Sequence, residues 1–159
     1  MQGEIDQKTF WKGIGCRAIG VAVVTARGTQ GPAGFLALSA THLSASPPMM
    51  MVSIGLTTSA LAAVREGNHF AINYLPKGRE DLAKEFGGGG TLKGADRFKP
   101  GEWATLASGA PTLVESVGVI DCTLDEMIER HGTVIALGRV VAFSGSTLEP
   151  LVSFRGGYL

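Results

Sequence analysis

The sequence predicts a mainly β chain, a Greek-key-like barrel with short helical insertions, and three observations carry that expectation. Strand-length runs rich in Val, Ile and Thr recur along the chain between Gly- and Pro-bearing turns. The helical patterns between them are short and do not alternate with strands in the βαβ manner. The 23 glycines in 159 residues are scattered apart from the run Gly87 to Gly90, as tight barrel corners require. A length of 159 residues suits one domain, 1-159.

Taken in order, Asp6 to Arg17 reads as a helix capped by Asp6, with Phe10, Trp11 and Ile14 as its apolar side. Gly13 to Ala18 matches GxGxxG/A literally. However, these glycines follow a helix and lead into a strand, the reverse of a dinucleotide fingerprint, so their expected job is to end the helix. Ile19 to Arg27 is a β-branched strand, and Gly28 to Pro32 turns it into a second strand from Ala33 to His42. Ser46-Pro47-Pro48 opens a third strand, Met49 to Gly55, because proline suits a strand beginning and not its centre. Ser59 to Gly67 is a short helix with Thr57 or Thr58 as N-cap. His69 to Leu75 is a strand. Lys77 to Phe86 is a helix with Leu82 and Phe86 inward and Glu80 paired with Lys84 outside.

Gly87 to Gly94 reads as a mobile flap or linker, since such a run resists ordering. Lys99-Pro100-Gly101-Glu102 fits a type II turn, and Trp103 with the segment from Ala110 to Leu113 is expected to cover a sheet edge. Val117 to Asp125 alternates Ile120, Cys122 and Leu124 against Asp121, Thr123 and Asp125, a strand with one wet face. His131 to Phe143 is apolar on both faces and therefore central, with Gly132 and Gly138 admitting a close backbone. Leu151 to Phe154 and the tail to Tyr158 complete the chain.

The totals narrow the function. Zero formal net charge argues against nucleic acid and against an anionic membrane surface. No apolar run approaches a membrane span and the N-terminus lacks signal-peptide character, so the expected location is cytoplasmic. Charged residues make up only 18%, which suggests that part of the surface is covered by a second copy in a homodimer. Cys16 and Cys122 have no CxxC or His spacing, so neither zinc nor a disulfide framework is expected, and both read as core residues. There is no GxSxG and no Ser/His/Asp order with an elbow context.

The chemistry-bearing stretch is 33 to 59. Alternation places Phe35, Ala37, Ser39 and Thr41 on one face, which ends small and hydroxylic and would let a flat ring lie near the backbone. The next strand delivers Thr57-Thr58-Ser59 to a helix start, where spare N–H groups and hydroxyls attract an anion. Together these suit a planar, phosphate-bearing ligand.

The order GVAVVTA, GFLALSATHLSASPP, TTSALAAVREGNHFAIN, LAKEFGG, DRFKPGEW, ERHGTVIALGRVV and SFRGGY resembles the short-chain flavin reductases with the FMN-binding split barrel fold, from about Phe10 to Tyr158. Many of these are reductase partners of two-component flavin monooxygenases. The resemblance implies that Ser39, Ala40 and Thr41 line the isoalloxazine ring, and that Ser53, Thr57, Thr58 and Ser59 hold the phosphate. Phe86 and Arg97 would border the flavin across a dimer interface. His131 would serve catalysis and, with Arg155 and Tyr158, the NAD(P)H site. Two positions depart from the family pattern: Glu129-Arg130 replaces the usual Gly-Asp before His131, and Ala60 stands where Thr is common. The implied activity is hydride transfer from NADH or NADPH to FMN or FAD, as substrate or held group. A corrin cobalt reductase and a non-catalytic flavin-binding barrel are the alternatives.

Overall fold

The computed structural model describes residues 3–159. Its first element is α1 (Gln7–Ile14), begun by Asp6, whose carboxylate accepts the Thr9 N–H at 2.7 Å, and ended at Gly15. Phe10 and Trp11 of the expected apolar side meet edge to face and are exposed, while Ile14 is half-buried. Cys16 is likewise exposed and not a core residue, whereas Cys122 is fully buried.

The predicted strand Ile19 to Arg27 is present in two pieces, β1 (Ile19–Gly20) and β2 (Ala22–Gly28). A two-residue turn, Thr29-Gln30, leads to β3 (Gly31–Ala37), with Gly28 opposite Gly31. The single strand expected from Ala33 to His42 is not formed: β3 stops at Ala37 and β4 (Thr41–Ala45) follows after Leu38 to Ala40. Next come β5 (Pro48–Gly55), α2 (Ala60–Gly67) and β6 (His69–Tyr74). They are followed by α3 (Glu80–Phe86), a 3₁₀ turn (Gly94–Arg97), β7 (Trp103–Thr105) and β8 (Pro111–Leu113). The chain finishes with β9 (Gly118–Arg130), β10 (Thr133–Gly145), β11 (Val152–Phe154) and β12 (Gly157–Tyr158).

The strand break has a topological cause. The main sheet has seven strands in the order β3-β2-β6-β9-β10-β5-β4, so β3 and β4, adjacent in sequence, are its opposite edges. Laid flat, six strand spacings would hold those edges about 29 Å apart. Four Cα links, from Ala37 to Thr41, reach only about 14 Å. The sheet must therefore curl until its unpaired edges lie side by side, which is a split barrel.

Two cores follow from the curl. Ala22, Val24, Val52, Ile54, Phe70, Ile72 and Ala136 fill the inside, closed at one end by Leu61 and Val64 of α2. Val21, Val23 and Leu75, on the outer face of the strands, pack against Leu82, Ala83 and Phe86 of α3. Both faces of β2 are thus covered, which explains its continuous apolar run. Gly138 meets the expected close approach: a Cβ there would sit 2.5 Å from the Phe70 ring. Gly132 does not; it is a turn residue with φ 74° and no atom near the place of a Cβ.

Outside the barrel, the Lys99–Glu102 turn forms as predicted, with Glu102 N–H donating to Lys99 O and Gly101 at φ 86°. β7 and β8 pair with each other and cover the outer face of interior strands, not an edge. Asn73 of β6 fixes them, its amide donating to Val23 O and Thr25 Oγ1 while its carbonyl accepts the Leu113 N–H at 2.8 Å. The expected wet face of β9 is dry at Asp121, which is fully buried and accepts the Ser108 N–H at 2.7 Å. Glu80 and Lys84 make no ion pair among the described residues; Arg79 instead bridges Asp81 and Glu102 at 2.9 and 3.0 Å. No helix among the described residues is long and apolar enough to cross a membrane.

Candidate active site

β5 is the spine of the site. Alternation turns Met50, Val52 and Ile54 into the barrel and Met51, Ser53 and Gly55 away from it. Where β3 releases the chain, Ser39 crosses to β5: its Oγ accepts the Ser53 N–H at 3.3 Å and donates to Ser53 O at 3.4 Å. Thr41 sits opposite Met51. Beyond Gly55 the chain turns through Thr57-Thr58-Ser59 into α2, with the Thr58 N–H donating to Gly55 O and the Leu61 N–H to Thr58 O.

The outcome is one hydroxyl-bearing strip at the seam of the barrel, running from Thr41 through Ser39 and Ser53 to Thr57, Thr58 and Ser59. Met51 to Gly55 covers about 13 Å of it. Ser39, Thr41, Ser53, Thr57 and Ser59 are exposed, while Ala40 and Thr58 are half-buried. The N-cap expected at Thr57 or Thr58 is Ser59, in a helical conformation with no side-chain hydrogen bond to α2. The Ser59 hydroxyl is therefore not used up in capping, and it and Thr57 are exposed at the turn. A flat ring near small Ala40 and the Ser39/Thr41 pair, with a phosphate at the uncapped turn, matches the length and donor set of the strip.

His131 is not the strand-start residue the sequence suggested. Arg130 pairs with Thr133, and His131 (φ 50°) with Gly132 (φ 74°) forms the two-residue turn of the β9–β10 hairpin. Gly132 O accepts the Leu56 N–H at 3.1 Å, which fastens this turn to the Thr57–Ser59 end of the strip, away from its Thr41 end. Arg155 and Tyr158 lie at the opposite end of the molecule. Arg155 (φ 51°) is in the β11–β12 turn, its N–H donating to Gly15 O and its guanidinium 4.8 Å over the Phe154 ring, and Tyr158 pairs with Ser153. Since β11 pairs with β1, level with the start of β9, and His131 follows the end of that 13-residue strand, about 40 Å of extended chain separates them. One copy of the chain does not bring Arg155 and Tyr158 to His131.

Phe86 is 3% exposed, packed edge-on against Phe98 and Trp103 and against Gly34, so it offers no ring face. Arg97 is half-buried beside it, its Nε donating to Leu92 O at 3.2 Å. Sequence reasoning missed two features. One is the contact between Leu56 and Gly132. The other is a Ser108–Asp121–His69 cluster, in which His69 Nε2 accepts the Arg27 N–H and Nδ1 meets Ser108 O at 2.8 Å. The Ser108 hydroxyl donates to Asp121, so the cluster holds no imidazole-activated nucleophile. It braces the segment before β8. Burial, reinforced by the neighbouring Asp121 charge, pushes the Cys122 thiol up to about 12 and keeps it neutral and inert.

A curled seven-stranded sheet with a hydroxyl strip along its seam defines a split-barrel domain. The profile of the flavin reductase like domain matches residues 14–159, and the chain belongs to that family. It is 32% identical over 154 residues to the stachydrine N-demethylase reductase subunit of Rhizobium meliloti, covering 96% of this chain and 65% of that protein. It is 31% identical to an FMN reductase (NADH) of Methylorubrum extorquens, covering 95% of this chain and 75% of the relative. The chain spans 65% and 48% of the lengths of the two Rhizobium meliloti relatives it matches. Among solved structures, an NADH:FAD oxidoreductase of Streptomyces globisporus superposes with a TM-score of 0.86 at 26% identity, over 100% of this chain and 96% of that one.

Proposed function

We propose that this chain is an NAD(P)H-dependent flavin reductase that moves hydride from a nicotinamide nucleotide to FMN and supplies the reduced flavin to a monooxygenase. The observation that carries this reading is the strip from Thr41 to Ser59, whose ring end is small and whose phosphate end has uncapped hydroxyls, in a chain of the flavin reductase like family. The names of the Methylorubrum and Streptomyces relatives support NADH as donor and FMN or FAD as acceptor.

The flavin, when bound, supplies the hydride-accepting chemistry, and the protein supplies position. Ser39 and Thr41 present hydroxyls to the ring edge, and Ser39, held on Ser53, fixes their spacing. Thr57, Thr58 and Ser59 hold the phosphate. His131, fastened to the same turn through Gly132, acts at the phosphate end, and its replacement is expected to change flavin affinity more than hydride transfer. Arg155 and Tyr158 reach a nicotinamide site only through a second copy, so the active unit is a homodimer.

The deciding experiment is an anaerobic absorbance titration of the protein with FMN, followed by NADH and then NADPH. Bound flavin that bleaches on addition supports the reductase, and the faster nucleotide is the donor. Bound flavin that neither nucleotide bleaches makes the chain a flavin carrier, and an absence of flavin binding refutes the site.

A further inference from the structure

The Gly-rich segment after α3 is not part of the strip, and positive charge collects there. It does not run free of the helix. The N–H groups of Gly87 and Gly89 donate to Ala83 O and Lys84 O, both at 3.0 Å, and the Leu92 N–H donates to the Glu85 carboxylate at 3.2 Å. Gly90 lies so close to that carboxylate that a Cβ would collide with it. The loop thereby borders an open pocket of about 250 Å³ walled by Lys84, Arg97 and Lys99, together with Asp81 and Glu85.

The charges of this pocket do not cancel. Asp81 is held by Arg79 through both oxygens, at 2.9 and 3.1 Å, and Glu85 by the Leu92 N–H. Lys84 and Lys99, in contrast, make no ion pair among the described residues. Arg97 lines the pocket with its Nε donating to Leu92 O and its guanidinium carbon 5.8 Å from the Phe86 ring centroid, and its two terminal nitrogens make no ion pair among the described residues. The three cations outnumber the two lining carboxylates, of which Asp81 is already paired with Arg79 while Glu85 keeps its charge, and this surplus favours a multiply charged anion. The placement is informative too. Gly87 packs on Leu36, which precedes Ser39 by three residues, or about 10 Å of extended chain. The loop that walls the pocket is thus anchored three residues along the chain from Ser39, at the Ser39/Thr41 end of the strip.

We propose that this pocket is a second phosphate site, taking a nucleotide phosphate or pyrophosphate that projects past the ring end. Its natural source, which rests on the reductase reading, is the nicotinamide donor or the pyrophosphate of FAD. The affinity for the anion does not depend on that reading. The first measurement is calorimetric titration of inorganic pyrophosphate into the wild-type protein and the Lys84→Gln/Lys99→Gln double variant at low salt. Both lysines are exposed, and circular dichroism together with a Lys84→Arg/Lys99→Arg control distinguishes lost charge from lost fold. The expected result is binding that weakens about tenfold in the Gln variant and persists in the Arg variant. No binding to the wild type, or equal binding by all three, overturns the site. Because this readout needs neither flavin nor hydride transfer, its failure is separate from a failure of FMN to bind or bleach. The source is then read from KM and Kd in the Gln variant. A rise in KM for NADPH alone assigns the 2′-phosphate, an equal rise for NADH and NADPH the donor pyrophosphate, and weaker FAD with unchanged FMN the flavin pyrophosphate. No change in any of them overturns the nucleotide assignment.

Discussion

At Thr57 and Ser59, two hydroxyls at a helix start are the proposed phosphate ligands. Replacing both with Ala is expected to weaken FMN binding by about 1 to 3 kcal/mol, the loss of charge-assisted hydrogen bonds, as read by absorbance titration. Circular dichroism should stay unchanged, because neither side chain is hydrogen-bonded to α2. At Gly138 the constraint is steric. A Cβ there would stand 2.5 Å from Phe70 and 2.7 Å from the Cys122 Cβ, so Gly138→Ala should cost about 1 to 3 kcal/mol in urea unfolding. Hydroxyl-rich sequence marked Ser39, Thr41 and Thr57 to Ser59 as candidates and the family resemblance added Ser53, and the structure sets them along one strip. Two other residues were not legible. The burial of Asp121 depends on Ser108, 13 residues away, folding over it. His131 looked like a strand residue because its left-handed conformation shows only in the Arg130–Thr133 pairing, although the following Gly132 is the residue such a turn prefers.

Among elements, β5, β6, α2 and α3 followed their sequence patterns, since apolar alternation and helical spacing are local properties. The β3–β4 break did not, because Leu36 to Thr41 alternates smoothly and only the closure of the sheet forces the chain to leave one edge for the other. The β7–β8 pair is the element most dependent on a single side chain. Its link to the barrel runs through buried Asn73, whose carbonyl accepts from Leu113 and whose amide meets Val23 and Thr25. Asn73→Leu leaves the Leu113 N–H buried without a partner and should cost about 2 to 4 kcal/mol. Hydrogen exchange at Leu113 should accelerate more than at Val52 in the inner core.

For the whole molecule, the two cysteines report on integrity. A thiol reagent at neutral pH should modify Cys16 rapidly in the native protein and reach Cys122 only on unfolding, since burial lifts that thiol to about 12. Two fast thiols would mean that the barrel is open. The proposed homodimer has its own signature. Phe143, 80% exposed, borders an apolar groove of about 400 Å³ with Met50, Tyr74, Ile120 and Val140. Phe143→Asp should shift light-scattering mass toward the monomer while leaving strand content intact. The residues from Leu38 to Ala40 act on a larger scale still. They are a drawstring: the girth of the barrel is set by the length of this covalent tie, with no ladder of hydrogen bonds across the gap. Lengthening it by a few glycines should let the sheet uncurl without breaking any strand pair, so that flavin affinity falls while cooperative unfolding survives.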